Sequence, residues 1–388
     1  STKVASATYQ SYQLLYGGAT KMGGHRLFIE GRFATFLLTR CILPNDSPRL
    51  NRIPKTVPTE PKEDFLMKAI QITEHGGPEA LKYQELPDLN PGDGEALLEI
   101  QAVGVNYTDV YNRTGATPGL PLPRIIGVEG AGVVRKIGQG VSQVKEGDVV
   151  AYSSVMGSYA DQAVVPAVKL VKMPEGLDVT VGAAAMLQGM TAHYLCHSTY
   201  PVQRGDRTLV HAGAGGVGLL LIQMIKKLGG FVFSTVSTDA KAQLAKEAGA
   251  DHVILYTEQD FSQEINNATN GEGVRVVYDA VGKTTFDKSI ASLGRRGHMV
   301  LYGNASGPVP DFNPGRLGVG SLYLTRPGLG DYSVTRDELE QRSGDVLSWV
   351  KSGELKLRIE HTFPLSEAAE AHRQLEGRAT TGKVLLIP

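Results

Sequence analysis

Gly213, Gly215 and Gly218 stand at G-x-G-x-x-G spacing in "LVHAGAGGVGLLLIQMIKKLGG", after one apolar run and before another with helical spacing. Glycines so spaced let a chain turn tightly, let its backbone approach a pyrophosphate, and let a helix pack close on a sheet. The amino end of the following helix offers its unpaired amides to phosphate oxygens. The chemistry this stretch points to is the holding of a dinucleotide. An NAD-binding chain places an acid about 20 residues further on, at the end of the second strand, to bond the ribose hydroxyls. That window here reads Phe233-Ser234-Thr235-Val236-Ser237-Thr238, with no acid; Asp239 already belongs to the next segment. Lys241 follows and supplies a cation for a 2'-phosphate, so the expected cofactor is NADPH.

The elements that must position these residues are legible as changes of hydrophobic period. "TLVHA", "FVFSTV", "HVILY", "VRVVYDAV", "HMVLYG" and "SLYLT" are strands separated by helical segments, which predicts a doubly wound parallel sheet of six strands. Upstream, "MKAIQI", "LKYQEL", "EALLEIQAVGVN", "GAGVVRKIG", "GDVVAY" and "YADQAVVP" alternate between Gly, Pro and Asp turns and predict a β-rich module. Downstream, helix "ELEQRSGDVLSWVKSG", a strand, helix "SEAAEAHRQLEG" and strand "GKVLLIP" are expected to return to that module.

Outside the loop, Asn106 and Asp109 are three residues apart, a spacing that turns both toward one site or makes them a helix cap. Tyr111 has a phenol that could donate a proton, although a tyrosine is more often packed with its hydroxyl satisfied. His193, His211 and His252 lack metal-ligand spacing, and Cys196 has no neighbours that mark a nucleophile. All four read as structural, and no metal is expected.

The 388 residues exceed one ordinary core and indicate two or three domains. A net charge of -1 argues against a polyanion-binding surface, and so against nucleic acid as a partner. With only Cys41 and Cys196, neither a disulfide framework nor a four-cysteine zinc site can form. No apolar run is long enough to span a bilayer. Residues 1–66 differ from the rest: Glu30 is the one acid before Asp46, basic residues lie among Ser and Thr, Phe28 to Leu43 is amphipathic, and Pro44 to Pro61 is proline-rich. That composition reads as an organellar (mitochondrial or plastid) targeting segment with a linker, against a solvated tail on a cytoplasmic protein or an arm that docks into a larger assembly.

Seven stretches, "GVNYTDVYNRTG", "LQGMTAHYL", "HAGAGGVG", "VVYDAVG", "RRGHMVLYGNASG", "GSLYLTRP" and "GRATTGKVLLIP", carry a resemblance in their order and spacing. From Met67 to Pro388 the chain resembles the zinc-independent quinone oxidoreductases of the medium-chain dehydrogenase/reductase superfamily, the zeta-crystallin group. The resemblance implies an α/β protein: a GroES-like β-rich catalytic domain over 67–190, a Rossmann domain over 191–325, and a return to the catalytic domain over 326–388. It implies that Asn106 and Tyr111 lie at the nicotinamide end. Thr191, Gly215, Gly216, Val217, Gly218, Ser237, Lys241, Tyr256, Tyr302, Gly303, Asn304, Leu322, Tyr323 and Arg378 line the cofactor path, with Lys241, Tyr256 and Arg378 around the 2'-phosphate. Zinc-dependent relatives carry ligands where this chain has Asn106 and Val128, so the implied hydride transfer from NADPH to a quinone proceeds without zinc. Reduction of an enone or 2-alkenal double bond is the alternative chemistry, and a noncatalytic RNA-binding or assembly role the alternative class. The edge strand "GSLYLT" is the expected seam of a homodimer.

Overall fold

The computed structural model describes residues 66–388. The readings placed on residues 1–65, targeting, linker and docking arm alike, fall outside the described residues. Six parallel strands form one sheet in the order His252–Leu255, Phe231–Val236, Arg207–Val210, Val274–Asp279, Leu293–Leu301, Tyr323–Thr325. These are the six runs identified by period. The order reverses direction beside Arg207–Val210, which creates a crevice at the carboxyl ends of that strand and of Val274–Asp279, where open α/β sheets take their ligands. The central strands Phe231–Val236, Arg207–Val210 and Val274–Asp279 are largely apolar and buried on both faces, as they must be with helices on either side, whereas the edge strand Tyr323–Thr325 is largely exposed.

A second, mixed sheet follows the path Ile359–Pro364, Lys383–Ile387, Glu95–Val105, Glu129–Ile137, Val149–Ser153, Val171–Lys172, with Gln162–Pro166 paired to Glu95–Val105. The closing strand Lys383–Ile387 runs antiparallel to Glu95–Val105, setting Val384 opposite Val105 and Leu386 opposite Val103. Leu66–Ile72 pairs with Lys82–Pro87 and Arg124–Ile125 in a small third sheet.

The helix Val179–Tyr194 joins the two large sheets. Asp178 caps it by accepting from Thr180 N at 2.9 Å, and its residues from Gly182 to Met186 and from Gly189 to Tyr194 are buried. An apolar helix buried all round is an internal one. It packs on Glu95–Val105, Glu129–Ile137 and Val149–Ser153, and on the helices Gly216–Lys227 and Arg336–Ser352. It thus links the second sheet to the helix Gly216–Lys227, which packs on Arg207–Val210 and Phe231–Val236 of the first.

Candidate functional site

The glycine loop has the strand, turn and helix its spacing requires. Gly213 N donates to Thr235 O at 3.1 Å and Gly215 N to Ala212 O at 2.9 Å, and the helix Gly216–Lys227 begins at once. A β-carbon on Gly218 would stand 2.3 Å from Ala212 O and 2.9 Å from Gly213 Cα, both backbone atoms that cannot swing away. Only glycine lets the helix start that close to the turn. The amides of Gly216, Val217 and Gly218 lie in the first turn, where a helix has no internal acceptor for them, and they suit phosphate oxygens. The loop is also tethered: Gly382 N donates to Ala214 O at 3.0 Å, and Gly215 bridges to Gly382.

At the end of the second strand, Thr238 caps the helix Asp239–Glu247 by accepting from Lys241 N at 3.3 Å. The Lys241 ammonium donates to Arg378 O at 2.6 Å, and Arg378 Nη1 to the Tyr256 hydroxyl at 3.3 Å. Three residues that are far apart in sequence thus meet beside Ser237 at an acid-free strand end. Burial, and then the Arg378 guanidinium, hold the Lys241 pKa below the usual lysine value. A dianion placed there would relieve both effects, which is the donor chemistry a 2'-phosphate requires.

The opposite end of the crevice centres on Asn106. It is the N-cap of the helix Tyr107–Thr114, and its N–H donates to Asp109 Oδ2 at 2.8 Å. Both sequence readings of the pair meet here, since the capping box also lies in the site. The Asn106 carboxamide is fully engaged inward. Its Nδ2 donates to Gly104 O at 3.1 Å and to Glu129 Oε2 at 2.8 Å, while its Oδ1 accepts from Lys383 Nζ at 2.9 Å and from Gln188 Nε2 at 3.3 Å. Glu129 Oε1 accepts from Leu187 N at 2.6 Å, and Lys383 Nζ reaches Glu129 Oε2 at 2.5 Å. Glycine at 104 is required, because a β-carbon would stand 2.3 Å from both Ala183 O and Glu129 Oε2.

Tyr111 closes this end. Its hydroxyl accepts from Asn304 N at 2.7 Å, and the neighbouring Tyr107 hydroxyl donates to Ala305 O at 3.0 Å, so the helix Tyr107–Thr114 is joined to the loop after Leu293–Leu301. Burial raises the Tyr111 pKa and keeps it a phenol. Tyr302 N and Gly303 N both donate to Asp279 O, at 2.9 and 3.3 Å, and a β-carbon on Gly303 would stand 2.5 Å from Ala280 O. Thr191 is buried one helical turn beyond Gln188. Leu322 and Tyr323 are not brought to this group. Tyr323 pairs in register with His298, His298 with Val276, and Val276 with Thr208, which puts it toward the amino ends of the strands. The residue of "GSLYLTRP" that reaches the site is Arg326: it donates to Leu301 O at 3.0 Å, and its charge acts on Tyr111.

A second buried chain runs away from Asn106. Tyr159 donates to Asp109 Oδ2 at 3.1 Å and meets His372 Nε2 at 2.9 Å. His372 Nδ1 meets Arg113 Nη1 at 3.0 Å, and Arg113 grips Glu376 with two bonds of 2.8 Å. Burial, then the Arg113 charge, lowers the His372 pKa to about 3, so the ring is neutral. With Arg113 donating to Nδ1, the proton of His372 sits on Nε2 and points at Tyr159. Burial pushes Asp109 up to about 7 against the opposing bonds from Asn106 N and Tyr159. Its folded pKa is above its unfolded value, so its stabilising share is whole below about pH 4 and is lost as pH rises toward 7. Removing this carboxyl as Asp109→Asn shifts the stability difference between variant and wild type by about 2–4 kcal/mol in the variant's favour from pH 4 to 7.5. Urea unfolding of both proteins across that range measures it; a pH-independent difference refutes it.

Glu129, Lys383, Gln188 and Arg326 join this group although no local motif in the sequence marks them. Among the described residues, no group of three or more His, Cys, Asp and Glu side chains could hold a metal. Cys196 is buried and its thiol is pushed up by burial, which leaves no thiolate. His211 bonds Thr235 Oγ1 at 2.8 Å and Ser289 Oγ at 2.9 Å inside the nucleotide sheet.

Residues 92–175 match the family described as alcohol dehydrogenase GroES-like domain, and residues 216–343 the family described as zinc-binding dehydrogenase. Quinone oxidoreductase 1 of Escherichia coli (strain K12) is 42% identical over 323 residues, which cover 82% of this chain and 99% of that protein. A 2-haloacrylate reductase of Burkholderia sp. is 40% identical over 331 residues, covering 83% of this chain and 99% of it. The crystal structure of E. coli quinone oxidoreductase complexed with NADPH superposes with a TM-score of 0.81 at 42% identity, covering 83% of this chain and 100% of that one.

Proposed function

Because the chain belongs to the quinone oxidoreductase family of the medium-chain dehydrogenase/reductase superfamily, the zeta-crystallin-like group, we propose that it is an NADPH-dependent quinone reductase. The observation that carries the reading is the meeting of Lys241, Tyr256 and Arg378 at a strand end without an acid. NADPH, when bound, supplies a hydride, and a quinone takes that hydride and one proton to become a quinol. The residues of the chain have distinct tasks. Lys241 offers a mobile point charge and Arg378 a planar fork to the 2'-phosphate. The amides of Gly216 to Gly218 receive the pyrophosphate. Tyr302, Gly303 and Asn304, with Thr191 and Tyr111, bound the crevice at the nicotinamide end.

Zinc independence belongs to the same proposal. Asn106 and Val128 stand where zinc-dependent relatives carry ligands, and the Lys383 ammonium sits on Asn106 Oδ1 and Glu129 Oε2, a placement that opposes a divalent cation by charge. A quinone is activated enough to accept hydride without a Lewis acid. Steady-state turnover of ortho- and para-quinones with NADPH and with NADH tests the reading: quinone turnover with NADPH preferred is expected, and absence of turnover or of the preference overturns it. The 40% identity to a 2-haloacrylate reductase favours reduction of an activated C=C bond as the second reading. A faster rate with 2-alkenals or 2-haloacrylates than with any quinone would put it first.

The edge strand Tyr323–Thr325 supports a homodimer: Tyr323 is 54% exposed and stacks on His298 at 4.4 Å between ring centroids, beside unpaired backbone groups. Leu322 and Tyr323 serve that seam better than the cofactor path. Tyr323→Asp is expected to halve the mass seen by light scattering after size exclusion; an unchanged mass rejects the seam. Targeting or docking by residues 1–66 is proposed on composition alone, and a reporter fused to that segment tests its destination.

A further inference from the structure

We infer that Lys383 is a positioning residue of the hydride-transfer site, fixing the Asn106 carboxamide and coupling it to the glycine loop. The inference rests on the NADPH-dependent reading above. A lysine 2% exposed and paired with a glutamate 0% exposed is costly to dehydrate, and hydrophobic residues of the same volume would often serve a core as well. The placement gives the pair a use. Gly382, directly before Lys383, bonds Ala214 O and bridges Gly215 of the loop, while the side chain of Lys383 bonds Asn106 Oδ1. One dipeptide therefore touches the phosphate turn with its backbone and the opposite end of the crevice with its ammonium.

Gln188 makes a parallel link. Its Nε2 donates to the same Asn106 Oδ1, and its amide lies so near Gly216 that a β-carbon there would stand 1.9 Å from Gln188 Oε1. Asn106 Oδ1 thus receives two donors, each tied to the loop. Both donor bonds of Asn106 Nδ2 are taken by Gly104 and Glu129, so the carboxamide has one orientation and holds the start of the helix Tyr107–Thr114 that carries Tyr111. Loss of the ammonium frees Oδ1 on one side and leaves Glu129 to draw Asn106 away.

The test uses the full-length enzyme, Lys383→Met, and the charge-neutral pair Lys383→Met with Glu129→Gln, which avoids an unpaired buried carboxylate. In both variants kcat is expected to fall about 10- to 100-fold, the cost of an ångström-scale misplacement at a reacting centre. The NADPH dissociation constant, from nicotinamide fluorescence, stays within about threefold, because the loop keeps its own amides. A second readout needs no substrate: hydrogen exchange of the segment 104–109 slows on NADPH binding in the wild type and does not respond in either variant. The double variant recovers thermal stability without recovering kcat, which a merely structural pair would not do. The inference is overturned if the double variant turns over like the wild type, if NADPH affinity falls as far as kcat, if the segment 104–109 still responds to NADPH in the variants, or if neither variant folds. Wild-type enzyme that binds NADPH but reduces no quinone condemns the functional reading instead, and the exchange experiment then decides the coupling by itself.

Discussion

Lys241→Ala weakens NADPH binding by about 10- to 100-fold and leaves NADH binding within about threefold, the span of one or two charge-assisted hydrogen bonds. The asymmetry follows from where the ammonium stands. Among the described residues it bonds only Arg378 O at 2.6 Å, caps no helix with its charge and supports no core, so its removal costs the fold little. NADH lacks the 2'-phosphate and has nothing there to lose. Arg378→Ala weakens NADPH as well, but also removes the bond to Tyr256 at the carboxyl end of the neighbouring strand. Titrations of both nucleotides against both proteins measure the effect. Equal weakening of NADPH and NADH would mean that Lys241 supports the site as a whole and recognises no phosphate.

Glu129→Ala is expected to destabilise the fold by about 3–5 kcal/mol, the cost of breaking a buried ion pair from one side. The carboxylate serves three donors: Lys383 Nζ at 2.5 Å, Asn106 Nδ2 at 2.8 Å and Leu187 N at 2.6 Å. Alanine leaves a dehydrated ammonium without its counter-charge and a helix amide without its acceptor. An exposed pair such as Arg135 with Glu99, whose side chains are 52% and 45% exposed, contributes little by comparison. The urea midpoint of Glu129→Ala measures the loss, and adding Lys383→Met should return part of it. A loss below about 1 kcal/mol would place the pair in a wetter setting than its burial indicates.

How much of this was legible in the chain depends on the range of the interactions. The glycine loop, the six strands and the missing acid are local patterns, set by side-chain period and by spacing within some 30 residues, as a βαβ unit is. Lys241, Tyr256 and Arg378 were assembled from the family resemblance, and the structure brings them within bonding distance. The Glu129–Lys383 pair was not legible. The two residues are 254 positions apart and meet only because Lys383–Ile387 pairs with Glu95–Val105, while Glu129–Ile137 lies on the other side of that strand. A closing strand was expected from "GKVLLIP", yet nothing local says which face its first side chain takes. Tyr323 stands apart from the assembled group for the same reason: strand register is a tertiary property, and it sets this residue toward the amino ends of the sheet.

The tether from Gly382 to Ala214 also has a consequence for biosynthesis. Chains emerge from the ribosome amino end first, and domains tend to fold as they appear. The nucleotide sheet, complete by Thr325, can form while the tail is still being made. Glu129 and Asn106 must then wait, without the ammonium that later occupies them, until Lys383 emerges. The crevice is finished only once Gly382 and Lys383 have emerged, and a chain that stops short of Gly382 would hold a folded nucleotide domain beside an unmade reaction site.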